Sequence, residues 1–234
     1  MKKKMMASLL VGSAVVGASL APLSAQATTT GNTPVQVEFG GGLLPDQDNP
    51  SGGSVDPDPS TPNTDFDLLA VPKSFNFPLA KIGEDLSALK ESSSVVRAVK
   101  VGDVRGTKEG WHVTGEIAEM SNGTDKLAGD INFNLTGYYA NYTTNAGLGY
   151  YEDTPTLNGM NIANDPTAPT FSGTSMKIGG GATPLASATV GKGQGTWSGR
   201  FGNVTLNVTT PYQQIKAGAY TGNITWNLVA GPSI

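Results

Sequence analysis

Apolar and polar residues alternate with a period of two along much of the chain, the pattern of strands that bury one face. Thr33–Phe39 opens the series, setting Val35, Val37 and Phe39 against Gln36 and Glu38, and Gly40-Gly41-Gly42 closes it. Order resumes at Phe66, with Leu68, Leu69, Val71, Phe75 and Phe77 as core candidates. Val95–Val101 gathers Val95, Val99 and Val101 on one face. Trp111–Ile117 gathers Trp111, Val113, Gly115 and Ile117, with His112, Thr114 and Glu116 opposite. The same pattern recurs in Ile131–Leu135, Asn203–Thr209 and Ala219–Val229, the last setting Tyr220, Gly222, Ile224, Trp226 and Leu228 against Thr221, Asn223, Thr225 and Asn227. These are half-buried antiparallel signatures. Glu84–Lys90 is the one helical candidate, a turn or two long. The pattern predicts an all-β chain, an antiparallel β-sandwich with little helix and a Pro/Asp-rich linker near the N-terminus.

The interruptions set the domain organisation. Residues 1–27 read as a signal peptide: Lys2, Lys3 and Lys4, an apolar run to about Leu20, then Ser24-Ala25-Gln26-Ala27 as an A-x-A cleavage site. Residues 28–44 form a short N-terminal β segment. Between Pro45 and Pro62 lie five Pro, four Asp and no aromatic residue, so residues 45–64 are expected to be a disordered acidic linker. The sandwich then occupies residues 65–234. Within it, Tyr138–Phe171 is an irregular excursion that holds five of the seven tyrosines: Tyr138, Tyr139, Tyr142, Tyr150 and Tyr151. Loops of that length are often functional.

Composition narrows the chemistry. Charged residues make up 15% of the 234, with 31 Gly and 15 Pro, which fits a turn-rich β protein. No Cys and a single His, His112, argue against disulfides, thiol nucleophiles and His- or Cys-built metal sites. The acidic side chains show neither calcium-loop spacing nor a flanking pair suited to glycoside hydrolysis, so the chain is read as a non-enzyme with no metal or cofactor. Removing residues 1–27 takes three lysines and no acid, moving the formal charge from −4 to −7. Nucleic acid is therefore a poor partner. An exported chain without Cys points to a Gram-positive envelope. The C-terminal residues carry no sorting motif, so the chain is not expected to be sorted covalently by its own tail.

Two segments carry a family resemblance. Gly102-Asp103-Val104-Arg105-Gly106, followed by Gly110-Trp111-His112-Val113, resembles the first motif of the WxL surface domain, D-x-R-G…G-W-x-L/V. Tyr220 through Leu228 resembles its second, Y-x-x-x-I-x-W-x-L. Val113 stands where the family name has Leu. The resemblance implies non-covalent attachment to the Gram-positive cell wall, with peptidoglycan as ligand. It also implies partners from the same surface system: a membrane-anchored WxL-interacting protein and a small sortable surface protein.

The residues themselves leave two readings open. Trp111, Val113, Trp226 and Leu228 lie on strand faces that run through apolar neighbours, which makes them core anchors; an indole at an edge or groove would instead touch sugar or a partner. The five tyrosines are a candidate contact loop, or ordinary packing of a loop over the sandwich. Two functional classes follow. One is a wall-binding surface module. The other is a structural subunit that self-associates, or joins related proteins, by adding a strand to a sheet edge.

Overall fold

A computed structural model describes residues 33–48 and 52–231; the expected leader lies outside them. The chain falls into two units, Met1–Glu38 and Phe39–Ile234. In the first, the described residues are extended but join no sheet, and Val35 and Val37 are exposed. Of the N-terminal β segment expected over residues 28–44, residues 28–32 lie outside the described ones, and residues 33–44 are a strand pattern without a ladder. Alternation marks residues able to pair; a strand exists once its backbone groups have partners.

The described residues of the second unit carry sixteen strands. The first five are β1 (Ser54–Val55), β2 (Phe66–Pro72), β3 (Leu89–Lys90), β4 (Arg97–Asp103) and β5 (Trp111–Ile117). A small hairpin, β6 (Met120–Ser121) and β7 (Lys126–Leu127), leads to the long β8 (Gly129–Asn145), β9 (Leu148–Thr154) and a second small hairpin, β10 (Thr156–Leu157) and β11 (Met160–Asn161). The last five are β12 (Thr170–Phe171), β13 (Ser175–Lys177), β14 (Thr183–Ala188), β15 (Gly195–Val208) and β16 (Ile224–Ala230). The larger sheet runs β1-β2-β4-β15-β8-β13, with β3 on β15 and β9 on β8; the smaller runs β12-β14-β5-β16. Their inner faces share one core. Val99, Val101, Ile131, Phe133, Trp197 and Phe201 come from the larger sheet, and Trp111, Val113, Ile117, Leu185 and Ala188 from the smaller. This is the expected antiparallel sandwich. Helix among the described residues is confined to two single turns, Ile162–Asn164 and Tyr212–Gln214. None is long and apolar enough to cross a membrane.

Several expectations fail for identifiable reasons. Glu84–Lys90 is not helical. The Asp85 carboxylate accepts the Ser87 N–H at 2.9 Å, a local bond that competes with the helix, and the segment ends as β3. Val95 lies before β4 and is exposed, while all seven residues of β4 are buried rather than alternate ones. The cause is a second layer on the outer face of the large sheet. Leu44, Leu69, Ala140 and Tyr151 form a separate apolar cluster there. Beneath the same layer the Lys100 ammonium lies 3.0 Å from Asp153 Oδ1 and also donates to the Tyr151 carbonyl, and Arg200 Nε reaches Asp153 Oδ2 at 2.5 Å.

That layer is built from residues assigned to the N-terminal segment and to a disordered linker. Gly42 N–H donates to Val104 O at 2.8 Å, Leu44 is buried, and Asp46 Oδ1 accepts the Asn63 N–H at 2.6 Å. Ser54 and Val55 pair with Pro72 and Val71. Proline and aspartate set the composition of this stretch, but a few well-placed groups tie it to the sandwich.

Candidate functional site

The two Trp segments form one structure. β16 pairs antiparallel with β5, so that Leu228 lies opposite Val113, Trp226 opposite Gly115 and Ala230 opposite Trp111. All four candidate residues face the space between the sheets. Trp111 and Val113 are fully buried; Trp226 and Leu228, on the outermost strand, are half-buried and pack on the same core. Trp226 meets Phe201 edge to face, ring centroids 5.8 Å apart.

The Trp111 indole N–H donates to Gly193 O at 2.9 Å, and so does the indole of Trp197, also at 2.9 Å. One carbonyl therefore satisfies two buried donors. Gly193 sits at φ +77, and a Cβ there would come within 2.6 Å of Trp111 Nε1, so only glycine fits. By composition alone Gly191–Gly195 reads as a plain turn, and Trp197 falls in none of the alternating segments. A third tryptophan four residues beyond Gly193 was the available signal.

The charged part of the first motif is a clamp. Buried Asp103 accepts from Arg105 Nε at 2.9 Å and from its NH2 nitrogen at 2.8 Å, a bidentate pair. Arg105 also bonds the Gly110 carbonyl at 3.2 Å, lies 3.7 Å over the Phe66 ring and pairs with Glu109. Donating to Asp103 holds the guanidinium pKa above its usual value, against the opposing effect of burial. The clamp closes the loop that delivers Trp111 to its strand.

The tyrosines divide. The first part of the stretch expected to be an irregular excursion is strand: β8 and β9 form a hairpin that turns at Ala146-Gly147 with φ +52 and +82. Tyr139 points into the core beside Trp197 and donates to Asp165 Oδ2 at 2.8 Å. Burial, then the bond to Asp165, pushes its phenol up to about 12. For Asp165 burial acts upward, but bonds from Thr167 and Tyr139 hold the carboxyl below its usual value. Tyr151, fully buried, donates to Pro45 O at 2.9 Å, and Tyr142 donates to Asp46 O at 3.1 Å. These two hold residues 44–48 in place. Tyr150 is half-buried.

Tyr138 has a different position. It stands at the rim of an open groove of about 420 Å³, walled by Pro155, Ile162, Ala168, Pro169 and Phe171. Arg200 lies 4.3 Å over its ring. The groove follows from the topology: β13 pairs with residues 130–132 of β8 and β9 with residues 139–145, so Thr136–Tyr138 have no strand on that side. Opposite glycines, Gly137 and Gly199, make the groove's inner wall possible. A Cβ on either would lie within 2.8 Å of the Phe171 ring, which rests across both. The site thus offers apolar walls beside a short run of unpaired strand edge.

A family model for the WxL domain, described as surface cell wall-binding, matches residues 26–232. The chain belongs to the WxL domain family. No curated protein and no solved structure matches it significantly. The protein therefore has a cell wall-binding domain and a place at the cell surface.

In this WxL domain the name-giving residues face the interior, where Val113 serves as well as Leu because it is enclosed between sheets. Among the described residues no three His, Cys, Asp or Glu side chains are grouped so as to hold a metal. Of the nine candidate site residues, Tyr138 lines this groove.

Proposed function

We propose that the mature protein is secreted by a Gram-positive cell and binds the peptidoglycan of its wall non-covalently, as a non-enzymatic member of a surface complex. The observation that carries this reading is the groove at Tyr138, where apolar walls stand beside unpaired backbone. Peptidoglycan displays acetamido sugars and alanine-rich stem peptides, and both place a methyl group next to an amide. Apolar walls suit the methyl, and strand-edge N–H and C=O groups suit the amide. The leader pattern supports export, and the resemblance supports a membrane-anchored WxL-interacting protein and a small sortable protein as partners.

The test is sedimentation of the purified mature protein with peptidoglycan stripped of teichoic acids. Tyr138→Ala should melt like the parent and bind about tenfold more weakly, the equivalent of losing one aromatic contact of about 1.4 kcal/mol. A variant that melts and sediments like the parent would remove the groove from the wall contact.

A further inference from the structure

The two long sheet edges are treated differently. At the edge formed by β9 the chain covers itself. Asp48 N–H donates to Gly149 O at 2.9 Å, Gly149 N–H donates to Asp48 Oδ2 at 2.6 Å, and Gln47 Oε1 accepts from Tyr151 N–H at 3.4 Å. β16 has no such hydrogen-bonded cover among the described residues; β2 of the larger sheet approaches it without pairing. The seven residues of β16 pair with β5, and no strand pairs with its other side among the described residues.

The Gly231 N–H bond to Gly110 O continues the β16–β5 register. By the alternation of antiparallel ladders, Thr225, Asn227 and Val229 then direct their backbone groups toward β5. Those of Ile224, Trp226, Leu228 and Ala230 face out of the edge. Natural edges are usually blunted by charge, proline or a covering segment. From Ala217 to Ile234 there is no Asp, Glu, Lys or Arg, and Pro232 lies beyond the strand.

The same chain contains a strand pattern with no ladder. Val35, Val37 and Phe39 are 92%, 71% and 88% exposed, and residues 33–39 pair with nothing among the described residues. We propose that the open edge of β16 takes residues 33–39 of a second copy as an added strand. Val35, Val37 and Phe39 would extend the apolar face beside the half-buried Trp226 and Leu228. Gln36 and Glu38 would join the polar face beside Thr225 and Asn227. Pro34 is tolerable because the added strand is itself an edge. The contact is heterologous, since donor and acceptor are different surfaces, so it closes by reciprocal exchange into a dimer or ring, or propagates from copy to copy.

The experiment measures the mass of the mature chain across a concentration series, with wall sedimentation in parallel. The parent should form dimers or larger species as concentration rises. Val37→Asp, in an exposed residue outside any ladder, should lose the larger species while melting and binding walls as before. A peptide of residues 31–41 should dissolve the assemblies and slow amide exchange at Trp226 and Leu228. The same peptide with alternate backbone nitrogens methylated should do neither, because strand addition needs those N–H groups. A mature chain that stays monomeric, a Val37→Asp variant that assembles like the parent, or peptide protection away from β16 would each overturn the proposal. Wall binding lost with Tyr138→Ala but kept with Val37→Asp separates this contact from the groove.

Discussion

The β5–β16 ladder and the β8–β9 hairpin are both aromatic antiparallel pairs, and they spend their aromatics in opposite ways. In the ladder every candidate residue faces inward, and the outer face carries His112, Thr114, Thr225 and Asn227. The hairpin is covered on both sides. Tyr139 serves the core, Tyr142 and Tyr151 hold residues 44–48 on the outer face, and Tyr138 is left at a groove. A strand pair covered on one side has one destination for large side chains. A pair covered on both sides has two, and where its cover ends a site appears. Prominence in sequence therefore follows the ladder, whereas accessible chemistry follows the hairpin.

The largest expected effect breaks the ladder. Trp111→Ala should destabilise by about 3–5 kcal/mol in urea unfolding, the range for truncating a large buried aromatic. A loss below about 1 kcal/mol would mean that the ladder is not a core element. Trp226→Ala should cost about 2 kcal/mol, because its indole is half-buried and less apolar area is at stake. Wall retention should then fall with the unfolded fraction alone; a variant that melts like the parent but no longer sediments would turn Trp226 into a contact residue.

Smaller effects sharpen the hairpin side. Tyr151→Phe keeps the ring and deletes the bond to Pro45 O, costing about 1 kcal/mol. Cleavage by limited proteolysis should shift toward residues 44–48. Unchanged cleavage there would show that other bonds hold the segment. The smallest effect is a pH dependence. Tyr139 holds its proton more tightly when folded, up to about 12, than the unfolded value of about 10. Its contribution is full below pH of about 10 and is lost as pH rises toward 12. Tyr139→Phe should flatten that part of the alkaline stability curve; a curve that keeps its shape would place the titration elsewhere.

The fold was readable where burial is one-sided. β5 runs from Trp111 to Ile117, as the alternation predicts, and Val204 and Leu206 fall on the buried face of β15. Reading faltered where glycine enters a strand. The first half of β15, Gly195–Gly202, resembles a turn until Phe171 is found lying across Gly199. It faltered again at β4, where Lys100 is buried by partners more than fifty residues away along the chain. The motif residues were legible from spacing, but their direction was not. Nor was the groove, because its walls come from β8, from Pro155 after β9, from the residues between β11 and β12, and from β12 itself.

By itself the sequence determined the sandwich class, the family and the two Trp strands, because period, turn residues and motif spacing are local properties. Tertiary structure alone decided which residues the solvent sees. It folded an acidic, proline-rich stretch into a cover for the large sheet, turned Tyr139 and Tyr151 inward, and left Tyr138 and the edge of β16 open. Burial and pairing are set by what arrives from elsewhere in the chain, and local patterning records what a residue can do in a strand, not which partner will reach it.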